Sequence, residues 1–169
     1  YSDYIKFENL DLFEPLILYP EILAFKARGQ EGGQEFIEDS EETKTYSLSQ
    51  WINISVDQVT IEPLGRVVLP FTISVPEDAE AGGRYGAILL SNQPTIEGKL
   101  ANSVALGAQS GTIILARIEG DLYESAKIDV YQTGKDKYQY PPVDFEVVVE
   151  NTGNIHVKPV GKIEIKNIF

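Results

Sequence analysis

Residues 66–75 constrain the fold more than any other stretch. Val67, Leu69, Phe71, Ile73 and Val75 share one parity, and Val68, Pro70, Thr72 and Ser74 share the other. That period of two is what a strand buried on one face requires. Turn chemistry, Glu62-Pro63-Leu64-Gly65, precedes it, and Val75-Pro76-Glu77-Asp78 ends it. Residues 51–91 as a whole read as strand, turn, long alternating strand, Pro-Glu-Asp corner, glycine pair, tyrosine and strand. This is the grammar of an all-β sandwich.

The rest of the chain continues it. Ile5 and Phe7 alternate with Lys6 and Glu8 over residues 4–9, and residues 15–25 form an apolar run whose Pro20 predicts an edge or a kink. Residues 28–49 are polar and gapped by Gly29, Gly32 and Gly33, which predicts a long loop. Strands are predicted over 51–56, 59–62, 66–75 and 85–91. Residues 93–110 are ambiguous: Leu100, Val104 and Ala108 have helical spacing, but Gly98, Gly107 and Gly111 oppose a stable helix and favour a loop or hairpin. A strand over 111–120 closes a first sandwich.

Beyond Gly120-Asp121, strands are predicted over 123–131, 145–150 and 160–168, the last with Ile163 and Ile165 against Glu164 and Lys166. A tyrosine-bearing loop over 132–142 and a turn at 151–154 separate them. So few strands leave a sheet face uncovered. The expected organisation is therefore an immunoglobulin-like β-sandwich over 1–120 and the start of a second, incomplete β-sandwich over 121–169. Without an initiator methionine, and with Tyr1 close to a strand, the chain is expected to be a processed or trimmed piece of something longer.

Composition narrows the function. A net charge of −12 repels nucleic-acid phosphates and anionic lipid, so no nucleic acid and no membrane contact within this segment are expected. No run reaches the 18 or so apolar residues of a spanning helix. Cysteine is absent, which removes thiol catalysis, disulfides and thiolate metal sites without fixing a compartment. His156 is the single histidine, with no second His or Cys to complete a metal site or a triad. No catalytic, cofactor-binding or metal-ligating residue is assigned, no cofactor is expected, and the chain reads as a non-enzyme.

Other conspicuous residues have structural readings beside functional ones. Trp51 has parity opposite to Ile52, Ile54 and Val56, so it either faces outward, able to stack on a sugar, or fills the sandwich core. Tyr85 opens a strand after a corner, where a tyrosine hydroxyl caps backbone groups. Glu31, Glu35, Glu38, Asp39, Glu41 and Glu42 lack the spacing of a preformed calcium loop and read as solvated. Asn53-Ile54-Ser55 matches a glycosylation acceptor inside a predicted strand. Lys6, Asn151 and Lys162 are candidates for an isopeptide bond that no motif supports. The pairs Gly32-Gly33 and Gly82-Gly83 lack phosphate-cradle spacing and are read as turns. Tyr131, Tyr138 and Tyr140 would form a carbohydrate platform if coplanar.

The order ENL…EPLILYPEILAF, SQWINIS, VTIEPLG, FTISVPEDAEAGGRYGAILLS and GTIILARIEGD resembles bacterial surface proteins related to the WxL-interacting protein family. ENTGNIHVKP followed by KIEIKNIF resembles the start of that family's second domain. The resemblance implies a first immunoglobulin-like domain akin to the pilus-chaperone fold, an extracellular, cell-surface location, and binding of cell-wall polymer or another surface protein. It transfers no catalytic residue. Two alternatives stand beside this reading: a chaperone-like, strand-exchanging module of a surface fibre, and an accessory carbohydrate-binding domain of a larger enzyme. An unpaired long edge would favour the former, with residues 1–9 one place to look. Contacts are expected on the loops 28–49, 93–110 and 132–140.

Overall fold

The computed structural model describes residues 1–29, 33–40, 43–94, 109–135 and 137–166. Among them the chain is all-β, and no α-helix forms. Ten strands follow in order: β1 Ser2–Glu8, β2 Leu16–Arg28, β3 Gly33–Ile37, β4 Ile52–Asn53, β5 Val59–Ile61, β6 Arg66–Ile73, β7 Gly82–Ser91, β8 Gln109–Ile118, β9 Ala126–Thr133 and β10 Phe145–Asn151.

Two sheets build the sandwich. One has the order β1-β6-β4; the other runs β3-β2-β7-β8, with β5 pairing the start of β2. Antiparallel registers such as Ile5↔Leu69 and Tyr85↔Leu115 fix which side chains share a face. On β6 the predicted face holds: Leu69, Phe71 and Ile73 are buried while Val68, Pro70 and Thr72 are exposed. Val75 is exposed because β6 ends at Ile73.

Leu18, Val59, Ile61, Leu69 and Leu90 form one core cluster between the sheets, and Leu48, Ile52, Phe71, Ile73 and Ile88 another. A third cluster, Leu23, Ala87 and Leu89 with Phe25 against it, lies on the opposite face of β7.

Several sequence expectations are corrected. The predicted loop 28–49 contains β3, which pairs Ala24–Arg28 of a longer β2. The strand predicted over 51–56 shrinks to β4, because Ser49–Trp51 form a 3₁₀ turn and pairing to β6 covers Ile52 and Asn53 alone. The edge read at Pro20 is present within β2: Pro20 sits opposite Leu90 of β7, and on its other side β5 has left at Leu18 and β3 joins only at Ala24, so its missing N–H costs no ladder bond there. Gly82-Gly83 is not a turn but the start of β7, paired to Ile118 and Arg117. Residues 160–166 alternate without forming a strand. The ambiguous 93–110 stretch lies largely outside the described residues, and its end, from Gln109, is β8.

β9 and β10 form a separate two-stranded sheet. It touches the sandwich through the segment after β10: the Gly83 N–H donates to the Asn154 carbonyl at 2.8 Å. The Asn154 side chain in turn donates to the Asp121 carbonyl and accepts from the Tyr123 N–H.

Candidate functional site

β1 and β8 each end a sheet. Among the described residues β1 pairs with β6 on one side, and β8 with β7 on one side. Each therefore offers a row of backbone N–H and C=O groups without a strand partner on its outer edge. The two edges border a groove of about 810 Å³, lined by Tyr1, Asp3, Tyr4, Ile5 and Lys6 from β1 and its approach, by Phe71, Ile73 and Val75, and by Thr112 through Ile118 of β8.

The local sequence explains why the groove is apolar. Ile5, Ile114 and Ala116 pack against Phe71, Ile73 and Ile88, so the groove floor is the margin of the core. On the opposite parity of β8, Ile113 and Leu115 stand 44% and 47% exposed. An Ile-Ile-Leu run apolar on both parities is the pattern of a strand covered on both faces, yet here it lies at an edge.

The β8 wall contributes Thr112 and Arg117 as its polar residues, and the rest of the polar groups lie on the β1 wall. The Tyr1 hydroxyl donates to the Asp3 carboxylate at 2.8 Å, and the Tyr4 N–H donates to the same carboxylate. These bonds lower the Asp3 pKa and raise that of Tyr1. Lys6 lies over the Tyr4 ring, 5.2 Å from its centroid.

In the first half of β7, a second constellation joins the sandwich to the segment after β10. Arg84 is buried; its guanidinium donates to the carbonyls of Thr45, Gly83 and Glu80 and lies 5.5 Å from the centroid of Trp51. Tyr85, inside β7 rather than at its start, packs against Phe25 and His156 and receives a backbone hydrogen bond from His156. Burial is the main cause that raises its pKa. The tyrosine does cap backbone, as expected, but across the joint rather than at a corner.

The other flagged residues are structural. Trp51 is half-buried against the Phe71 cluster. His156 stands alone beside Tyr85 with Nδ1 buried and unpartnered. Asp39 accepts from Ser47 and Ser49, and Glu35 pairs with Lys26; Glu38 is exposed, and Glu31, Glu41 and Glu42 lie outside the described residues. Among the described residues no group of three or more His, Cys, Asp or Glu is placed to hold a metal ion. Asn151 braces its own turn, bonding Ile155 and Gly153, and Lys162 pairs with Glu164, so neither approaches an isopeptide partner. Tyr131 stacks on Phe145, Tyr138 turns its hydroxyl inward, and Tyr140 is 81% exposed; no ring contact joins the three. Asn53 is exposed on β4.

No family model matches the chain, and no curated protein does. Among solved structures it is similar to a chain of the CsuC–CsuE chaperone–tip adhesion subunit pre-assembly complex from the archaic chaperone-usher Csu pili of Acinetobacter baumannii. That match has 12% identity over 90% of this chain and 70% of that one, with a TM-score of 0.51. It is also similar to the E. coli chaperone DraB, at 10% identity over 95% of this chain and 80% of that one, with a TM-score of 0.43. At 12% identity the likeness to the first is one of fold alone, an all-β sandwich.

Proposed function

We propose that this chain is a non-catalytic binding module that captures an extended segment of a partner protein along β1 and β8. The observation that carries the reading is the pair of unpaired edges bordering one apolar groove. Strand addition satisfies both requirements of such a site, since backbone groups supply affinity and alternate side chains fill the groove. A segment matching the ten residues of β8 would extend about 33 Å. The resemblance to surface proteins related to the WxL-interacting family, together with the chaperone-like fold, supports work at the bacterial cell surface. Within that setting the strand-exchanging role is favoured over holding wall polymer, because the two unpaired edges suit backbone pairing, while of the aromatic residues lining the groove Phe71 is buried and the Tyr4 ring is covered by Lys6. Residues 121–169, with the β9–β10 sheet, would act as a second domain joined to the first through Asn154 and Tyr85.

A 12-residue peptide of alternating valine and threonine, titrated into isotope-labelled protein, tests this. Binding should slow amide exchange along β1 and β8 and shift the methyl signals of Ile5, Ile114 and Ala116. Leu115→Pro, which removes a β8 backbone donor, should weaken it. Shifts confined to other surfaces, or a peptide affinity indifferent to Leu115→Pro in a folded variant, would sink the proposal.

A further inference from the structure

Beyond the end of β1, away from the groove, the chain spends conformational energy to keep apolar side chains in water. Leu10, Leu12, Phe13 and Leu64 are 78%, 62%, 81% and 61% exposed. They belong to two segments bolted together: the Leu64 N–H donates to the Asp11 carbonyl at 3.1 Å, and the Asn9 N–H to the Gly65 carbonyl at 3.0 Å. Asn9 itself is buried, and its amide donates to the carbonyls of Glu14 and Ile61. The Asp11 carboxylate accepts from the N–H groups of Phe13 and Glu14. A floppy loop would owe its exposed leucines to disorder; this one is hydrogen-bonded into shape.

Leu64 is the second, independent sign. The Gly65 N–H closes a turn on the Glu62 carbonyl, with Pro63 at the second position and Leu64 at the third, where φ is +54°. Turns of this type want glycine or asparagine there, and a leucine at positive φ is a strained exception. Strain of this kind concentrates where surfaces are used. A bulky side chain is here kept at a disfavoured backbone position and offered to solvent.

We infer that this tip is a second docking surface, and that its occupant is a protein presenting an apolar pocket rimmed by lysine or arginine. Charge selects the occupant. Exposed Glu8, Asp11, Glu14 and Glu62 flank the apolar residues along these two segments, and Arg66, bound to Glu8 at 3.0 Å, is the one cation within residues 8–15 and 61–66. A second copy would bring the same acidic rim and repel it, and an anionic membrane would repel the rim and the net charge of −12 alike. A basic-rimmed pocket meets both the leucines and the carboxylates. This surface is independent of the groove between β1 and β8.

The test uses a cationic amphipathic peptide of leucine and lysine, the same peptide with every leucine replaced by serine, and vesicles of zwitterionic and of anionic lipid. The leucine–lysine peptide should bind and shift the methyl signals of Leu10, Leu12 and Leu64, and salt should weaken it. Leu12→Ser/Phe13→Ser should reduce its affinity about tenfold. Leu64→Gly should do two opposite things: raise Tm by about 2–4 °C by relieving the turn, and lower peptide affinity. A merely structural leucine would not separate these effects. Equal binding of the serine peptide, tip variants that bind as well as the parent, preferential vesicle binding, or self-association through the tip would each overturn the inference.

Discussion

Replacing Phe71 by aspartate separates the two faces of β6 most sharply. Phe71 is 7% exposed and packs with Leu48, Ile52, Ile73 and Ile88. Truncating such a ring costs about 3–5 kcal/mol in lost transfer and cavity energy. A carboxylate in its place has no cation among these neighbours and must be desolvated or protonated, at several kcal/mol more. The sum rivals the entire stability of an ordinary domain, about 5–15 kcal/mol, so Phe71→Asp should leave the sandwich largely unfolded in buffer. Thr72→Asp is the control. Thr72 is exposed, sits between Ser2 and Asn53 in the ladder, and should cost no more than about 1 kcal/mol. Urea titration followed by fluorescence suits the question, because Trp51, the chain's single tryptophan, packs against the Phe71 cluster. Equal midpoints for the two variants would mean that the face of β6 is misassigned and with it the floor of the groove.

Gly111→Ala should be strongly destabilising in a thermal melt, because a Cβ there would lie 2.1 Å from the Ile88 carbonyl oxygen and 2.8 Å from the Leu89 Cα, both backbone; a melt like the parent's would show that β8 leaves β7 earlier than described. Asn9→Ala should cost about 1–3 kcal/mol by stranding the Glu14 and Ile61 carbonyls, and amide exchange at residues 10–14 should quicken while β9 and β10 are unchanged. Tyr85→Phe removes the bond from the His156 backbone and keeps the ring contacts, so a loss of about 1 kcal/mol is expected. The sign of its titration follows. Burial raises the phenol's pKa, so the stability it lends is intact below about pH 10, the unfolded value, and is lost as pH rises through the folded one. Alkaline melts should accordingly weaken the parent more than the phenylalanine variant.

What the sequence revealed and what it withheld divide along one physical line. Leu69, Phe71 and Ile73 announce their face because burial on one side writes a period of two into the chain itself. The same rule misleads at residues 51–56 and 160–166, where alternation persists but the ladder does not, since parity says nothing about whether a partner strand lies alongside. Gly82 and Gly83 were misread for a related reason. Their lack of side chains serves packing: a Cβ on Gly82, where φ is +142°, would press on the Asn154 carbonyl of another segment, and one on Gly83 would strike the hydroxyl of Tyr85 in the same strand. Glycine that clears space for another segment looks, in sequence, like glycine that turns a corner. Leu64 misleads in the other direction, as a residue whose identity opposes its own backbone angle.

The groove was half legible, and the unread half bears most on function. Sheet edges are usually defended by brevity, by charge or by proline. β4 has two residues and β3 five, with Glu35 on it, and seven-residue β1 carries Asp3, Lys6 and Glu8. β8 has ten residues and none of these devices before Arg117: Gln-Ser-Gly-Thr-Ile-Ile-Leu-Ala, uncharged, without proline, paired to β7 in unbroken register from Ser91↔Gln109 to Gly82↔Ile118. Left open, such an edge invites aggregation. An acidic chain gains some protection from its overall charge, but that acts on approach and does not satisfy the backbone groups of the edge. The economical reading is that β8 is undefended because it is meant to be occupied. A charge placed there should then improve the isolated protein while impairing its work: Leu115→Lys, at a position 47% exposed, should leave the melting temperature nearly unchanged, reduce aggregation on concentration, and weaken capture of the alternating valine–threonine peptide. If the lysine variant aggregated as readily as the parent and bound the peptide as well, the open edge of β8 would be incidental to both behaviours.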